Sequence, residues 1–169
     1  FDFLKGGMVM GFLWWTNLEQ FYILGPFNTE ILYGAVAAIG HVFPVYLNFK
    51  GGKAMATTAG MIFFIEPLIA LLAIITFVLV FLKRKIVSIA SLSAAGMTLV
   101  LMLFRPLLYS FFPDFFAGLT NKNLQTYALE SLVVSLIGIL ILVRHMSNLK
   151  RLGQGKELHF FKHKKKTGK

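Results

Sequence analysis

The sequence predicts an all-α fold, a polytopic integral membrane helix bundle. Of its 169 residues 57% are hydrophobic and 14% charged, whereas soluble domains carry about 25% charged residues. Mean hydropathy is +0.73, and the apolar residues gather into runs of span length separated by charges and turn residues. So much apolar surface needs lipid as its solvent. A spanning helix takes about 20 residues, so the chain has room for six or seven spans in a single membrane domain. The absence of cysteine excludes disulfides and thiolate metal sites. The chain opens on Phe1, its first methionine is Met8, and its first stretch carries Asp2 and Lys5 without a small-residue cleavage site. An N-terminally shortened chain without a signal peptide is therefore expected.

A first span is expected over 3–16, with Asn17, Glu19 and Gly25-Pro26 breaking the pattern beyond it. The second covers 30–47 and contains His41 and Pro44. Lys50-Gly51-Gly52-Lys53 then reads as a loop. Ala54 to Leu82 is too long for one ordinary span, and Glu66-Pro67 lies near its middle. Proline ends or kinks a helix at the preceding residue, which divides the stretch into spans at 54–66 and 67–82. The fifth span, 86–104, is expected to end at Arg105-Pro106, before a turn-rich, partly aromatic loop over 107–125. The last span, 126–143, leads into a basic helix and tail over 144–169.

Lysine and arginine support two crossings between 54 and 82. If the chain turns at Glu66-Pro67, 15 of the 17 basic residues share one side, which the positive-inside rule makes cytoplasmic. Arg105 and Lys122 fall opposite, together with Glu19, Glu30, Glu66, Asp114 and Glu130. The net charge of +10 is more than a purely structural bundle requires.

Two constellations carry candidate chemistry. The first is Gly40-His41-Val42-Phe43-Pro44-Val45, leading through Asn48-Phe49-Lys50 to Gly51-Gly52-Lys53-Ala54-Met55-Ala56-Thr57. Paired glycines let backbone amides approach an anion, Lys53 adds a charge, and a following helix N-terminus offers unpaired N–H groups. It reads as a phosphate cradle, while Gly-Gly-Lys taken alone is more simply a tight turn with topogenic lysines. A Walker A loop is excluded, because Leu47 stands at the first glycine position and Ala54 at the Mg²⁺-binding hydroxyl. In the second, His145, Asn148 and Arg151 recur at i, i+3 and i+6, with Leu152 following and Glu157 further on. In a helix they share one face, presenting imidazole, amide and guanidinium to a substrate, or basic groups to anionic lipid heads.

Weaker candidates have plain alternatives. His41 is a base or a packing histidine, and His159 and His163 have metal-compatible spacing but lie among lysines without a nearby carboxylate. Ser88 and Ser91 suggest helix packing. The terminal lysines suit anionic lipid, and no nucleic-acid partner is needed to explain them.

These two constellations resemble the second and third motifs of the bacterial acyl-phosphate-dependent glycerol-3-phosphate acyltransferases, the PlsY family. The second motif resembles Gly-His-x-Phe-Pro-Val, a spacer, then Phe-Lys-Gly-Gly-Lys-Gly-x-Ala-Thr, and runs here from Gly40 to Thr57 with Ala54 in place of the usual glycine. His145, Asn148, Arg151, Leu152 and Glu157 fit the third motif, and Asp2 with Lys5-Gly6 is similar to the Asp-x-x-Lys-Gly that opens the family's second span. The resemblance covers nearly the whole chain. It implies seven spans, of which six are visible, and a first motif and first span upstream of Phe1.

The resemblance further implies acyl transfer from acyl phosphate to the 1-hydroxyl of glycerol 3-phosphate, giving lysophosphatidic acid and phosphate at the inner face of a bacterial plasma membrane, with no cofactor and no metal. His145 and Asn148 are then the expected catalytic residues. Gly51, Gly52, Lys53, Arg151 and His41 are expected to bind substrate, and Glu157 to be structural. The acyl chain would lie between spans, in contact with membrane lipid. A transporter or channel for organic phosphate anions is the competing class. It would favour polar residues at mid-membrane, whereas most charges here collect on one side.

Overall fold

The computed structural model describes residues 2–16, 30–115 and 122–156, and is helical throughout its ordered elements. The helices are α1 (Asp2–Thr16), α2 (Glu30–Val42), α3 (Met55–Ile65), α4 (Pro67–Arg84), α5 (Val87–Phe111) and α6 (Leu124–Gly153), with a 3-10 turn at Val45–Leu47. Each helix lies within or overlaps one expected span, but α2 stops at Val42, before the expected 47, and α5 and α6 run beyond the expected bounds. Among the described residues four segments are long and apolar enough to cross a membrane, Glu30–Leu47, Pro67–Arg84, Val87–Phe111 and Leu124–Gly153. α1 and α3 are shorter, at 15 and 11 residues.

α3 rises only about 17 Å before Glu66 leaves the helical conformation, at φ −143 and ψ 77, and Pro67 opens α4 at its first position, where a missing N–H costs nothing. Met55 and Phe77, on opposite sides of that break, line one cavity. The chain therefore doubles back at Glu66-Pro67. α4 buries only Ile69 and Ala70, while Leu68, Leu71, Leu79 and Leu82 are exposed. An apolar outer face of this kind is the surface lipid wets.

The expectation that Arg105-Pro106 ends the fifth span is corrected: α5 runs on to Phe111 through Pro106. Proline deprives the Met102 carbonyl, four residues earlier, of its helical donor. The Ser131 hydroxyl of α6 donates to that carbonyl at 2.5 Å, so the helix continues without leaving a buried acceptor bare. Arg105 is itself buried, and its guanidinium meets Glu66 at 2.7 Å and Glu130 at 3.0 Å. Lys122 closes the cluster, reaching Glu66 at 3.2 Å and Glu130 at 2.8 Å and donating to the Ile65 carbonyl at the end of α3. Two cations and two anions thus tie the α3–α4 turn to α5 and α6.

At the other end α3 lies hard against α1. A Cβ on Gly6 would overlap the Thr57 carbonyl, and one on Gly60 the Phe3 carbonyl, so glycine is what allows these backbones to touch. Met61, Ala38, Val42 and Met102 are fully buried in the core. The core therefore runs the length of the short helix and holds its N-terminus in place.

Candidate functional site

Chain reversal after α2 builds the first half of the site. Pro44 starts the 3-10 turn, and Asn48 and Phe49 take left-handed backbone at φ 49 and 60. Asn tolerates that region, whereas Phe there is strained by about 1 kcal/mol. The turn returns Gly51 and Gly52 to the end of α2, where their N–H groups donate to the carbonyls of Val42 and His41 at 3.1 and 3.2 Å. A side chain at Gly51 would strike those carbonyls and Pro44, and one at Gly52 would strike the His41 ring. Both amides are thus engaged inside the loop, and glycine is required here for close approach. The N–H groups that a helix leaves unpartnered belong to the first turn of α3, behind a residue that makes no side-chain cap.

That residue is Ala54, buried and in left-handed conformation at φ 57. The backbone explains why the resembling motif has glycine at this position. A Cβ in this region costs about 1–2 kcal/mol, and burying the methyl returns about 0.8 kcal/mol. Ala54→Gly should therefore leave stability within about 1 kcal/mol of the parent, whereas Ala54→Val should lose about 2 kcal/mol or more by adding bulk in a strained, buried position. Thermal unfolding of the two variants in detergent checks the pair.

α6 supplies the second half. It continues without a break through residues 144–153, so His145, Asn148 and Arg151 do lie along one side of a single helix. His145 and Asn148 are buried, and Arg151 is exposed at the end. Lys53 Nζ donates to Asn148 Oδ1 at 2.7 Å, Arg151 Nη2 donates to the same oxygen at 3.0 Å, and Asn148 Nδ2 donates to Ser88 Oγ at 2.6 Å. The two sequence constellations therefore meet at one amide. His145 Nδ1 lies 2.8 Å from the Ile141 carbonyl; a carbonyl only accepts, so that nitrogen carries the hydrogen. His41 lies 3.7 Å from Asp2, beyond hydrogen-bond range, and Asp2 instead accepts from Lys5 at 2.8 Å.

Two participants were not singled out as site residues by their sequence context. Ser88, expected to pack helices, is the hydrogen-bond partner of Asn148; its place just past Lys83-Arg84-Lys85 put it at the right depth. Arg144 donates through Nη2 to Gly51 O at 2.7 Å and through Nε to Gly52 O at 3.2 Å, fastening the loop to α6. The hydroxyls of Thr57 and Thr58, in the first turns of α3, are buried without a hydrogen-bond partner. Among the described residues no group of three His, Asp or Glu could hold a metal. Glu157, His159 and His163 lie outside the described residues.

Apolar helices with a lipid-wetted exterior and a polar cluster at one end define an integral membrane protein. The glycerol-3-phosphate acyltransferase family model matches residues 1–155, and the chain belongs to that family. The glycerol-3-phosphate acyltransferase of Streptococcus gordonii is 32% identical over 151 residues, covering 89% of this chain and 62% of the relative. That of Staphylococcus aureus strain Newman is 35% identical over 158 residues, covering 92% and 68%. The chain thus spans roughly two thirds of the length of these relatives. Among solved structures it is similar to PlsY (YgiH), an integral membrane glycerol 3-phosphate acyltransferase, in its lysphosphatidic acid form, with a TM-score of 0.68 at 28% identity, covering 94% of this chain and 68% of that one. The glycerol 3-phosphate form matches with a TM-score of 0.67 at the same identity.

Proposed function

We propose that this chain carries the substrate site of an enzyme that moves an acyl group from acyl phosphate to the 1-hydroxyl of glycerol 3-phosphate, forming lysophosphatidic acid and inorganic phosphate for phospholipid synthesis. The observation that carries the proposal is the meeting of Lys53, Arg151 and Ser88 on Asn148. Two cations from separate motifs converge on a neutral amide oxygen, and a phosphate oxygen would be a stronger, charge-assisted partner for either. The similar structures, named as glycerol 3-phosphate and lysphosphatidic acid forms, agree with this substrate and product.

In this scheme Lys53, Arg151 and the N-terminus of α3 hold phosphate. Asn148 and Ser88 fix the cluster and orient the acceptor. Gly51, Gly52 and His41 shape the loop that carries Lys53, and Arg144 secures it. The substrate hydroxyl attacks the acyl carbonyl, the carbonyl–phosphate bond breaks, and phosphate departs with the bonding electrons. His145, whose Nδ1 hydrogen is committed to Ile141, takes the hydroxyl proton at Nε2. Acyl phosphate already bears a good leaving group, so positioning and charge neutralisation supply the rate. The cluster faces the cytoplasm of a bacterium, where positive residues concentrate and draw both anionic substrates in. Transport of organic anions is less well supported, because the charged groups at the far end of the bundle pair with one another.

Membranes containing the full-length protein, given palmitoyl phosphate and glycerol 3-phosphate, should release phosphate and lysophosphatidic acid in equal amounts. Palmitoyl-CoA should not replace the donor. Absence of glycerol-phosphate-dependent phosphate release would overturn the enzyme assignment, and equal use of palmitoyl-CoA would overturn the donor.

A further inference from the structure

The loop before α3 has no side chain at Gly51 or Gly52 with which to hold its neighbours, because a Cβ at either would collide with the end of α2. It is held through its backbone instead. On one edge the two N–H groups donate to Val42 and His41. On the other the two carbonyls accept from Arg144, Gly51 O from Nη2 at 2.7 Å and Gly52 O from Nε at 3.2 Å. Nε and Nη2 form one edge of the guanidinium, a rigid fork of donors, and here that edge spans two consecutive peptides. Arg144 is half-buried, and among the described residues no carboxylate pairs with it. Its forked edge is therefore spent on protein carbonyls.

Lys53 follows directly, and its amine reaches Asn148 Oδ1 at 2.7 Å. Arg144 and Asn148 stand four residues apart on α6, about 6 Å along its axis. α6 thus grips residues 51, 52 and 53 in sequence, the first two by backbone and the third by side chain. A lysine stem is long and flexible, so the place of its charge depends on how firmly the backbone beneath it is held. We propose that Arg144 is a positioning residue: its guanidinium clamps the Gly51 and Gly52 carbonyls so that the Lys53 ammonium is delivered beside Asn148. The kinetic consequence rests on the acyltransferase assignment above; the geometric one does not.

Full-length protein in membranes, given palmitoyl phosphate and glycerol 3-phosphate, tests the clamp. Arg144→Met should lower kcat/KM for glycerol 3-phosphate by about tenfold, the scale of a lost charge-assisted hydrogen bond. In a Lys53→Met background the same substitution should cost less than about twofold, because residues that act as a unit lose their effect together. Arg144→Lys keeps the charge but has no fork to span two carbonyls, and should recover little. A second readout needs no turnover. Acetylation of Lys53 by an amine-reactive ester, measured by mass spectrometry against the exposed Lys83, should speed up in Arg144→Met as the amine leaves Asn148, and in Arg144→Gln to a smaller extent. Equal losses from Arg144→Met in both backgrounds would make Arg144 merely structural, and full activity of Arg144→Lys would make it a plain charge; either overturns the clamp, as does unchanged Lys53 acetylation. If the parent transfers no acyl group while Lys53 acetylation rises as expected, the enzyme assignment fails and the clamp stands.

Discussion

Arg105→Met should destabilise the bundle by about 3 kcal/mol or more, the usual cost of removing one partner from a buried ion pair. Arg105 is 6% exposed, touches both Glu66 and Glu130, and stacks its guanidinium 4.2 Å from the centre of the Tyr127 ring. Without it, two carboxylates share Lys122 alone in a poorly hydrated interior, where an unbalanced charge is expensive. The double variant Arg105→Met/Glu130→Gln restores neutrality between Glu66 and Lys122 and should recover at least about 1 kcal/mol of the loss, a coupling that independent sites would not show. Unfolding in mixed micelles of increasing denaturing detergent measures both. A single variant as stable as its parent would show that the cluster does not hold the α3–α4 turn.

Helix positions were legible because each apolar run is punctuated by residues with a physical reason to stop a span: Glu66-Pro67 at the hairpin, Lys83-Arg84-Lys85 after α4. Sorting charges by side assigned Arg105, Lys122, Glu66 and Glu130 to one face along with Glu19, Glu30 and Asp114, and the first four are the ones that meet in the structure. Their pairing was not legible, since Lys122 and Glu66 are 56 positions apart and no local spacing encodes that approach. Pro106 misled because its local rule is to break a helix, and the donor that repairs the ladder, Ser131, comes from another helix. At the site, the i, i+3, i+6 spacing placed His145, Asn148 and Arg151 together because helical geometry is local. Gly51-Gly52 invited a phosphate-cradle interpretation, yet its amides bond back to α2. Paired glycines signal close approach of something, and sequence does not say whether that is ligand or protein.

Lys53→Met and Asn148→Ala should each reduce kcat/KM for glycerol 3-phosphate by at least about 100-fold, equivalent to about 2.7 kcal/mol of transition-state stabilisation. Asn148 is bonded to Lys53, Arg151 and Ser88 together, so removing it takes away the oxygen both cations share, while Lys53→Met removes one charge from the cluster. Groups that act as a unit lose their effect together, and the double variant should therefore be little worse than either single one. If Lys53 only fixed topology, its loss would alter membrane orientation and leave correctly inserted protein fully active. The chain has no cysteine, so a cysteine introduced at the exposed Lys156 reports orientation through an impermeant thiol reagent. Normal labelling with lost turnover assigns Lys53 to the substrate; abnormal labelling with normal turnover per inserted molecule assigns it to topology. Lys53→Arg separates charge from shape: it keeps the cation but changes its reach and hydrogen-bond geometry. It should therefore restore binding, seen as KM, more fully than kcat.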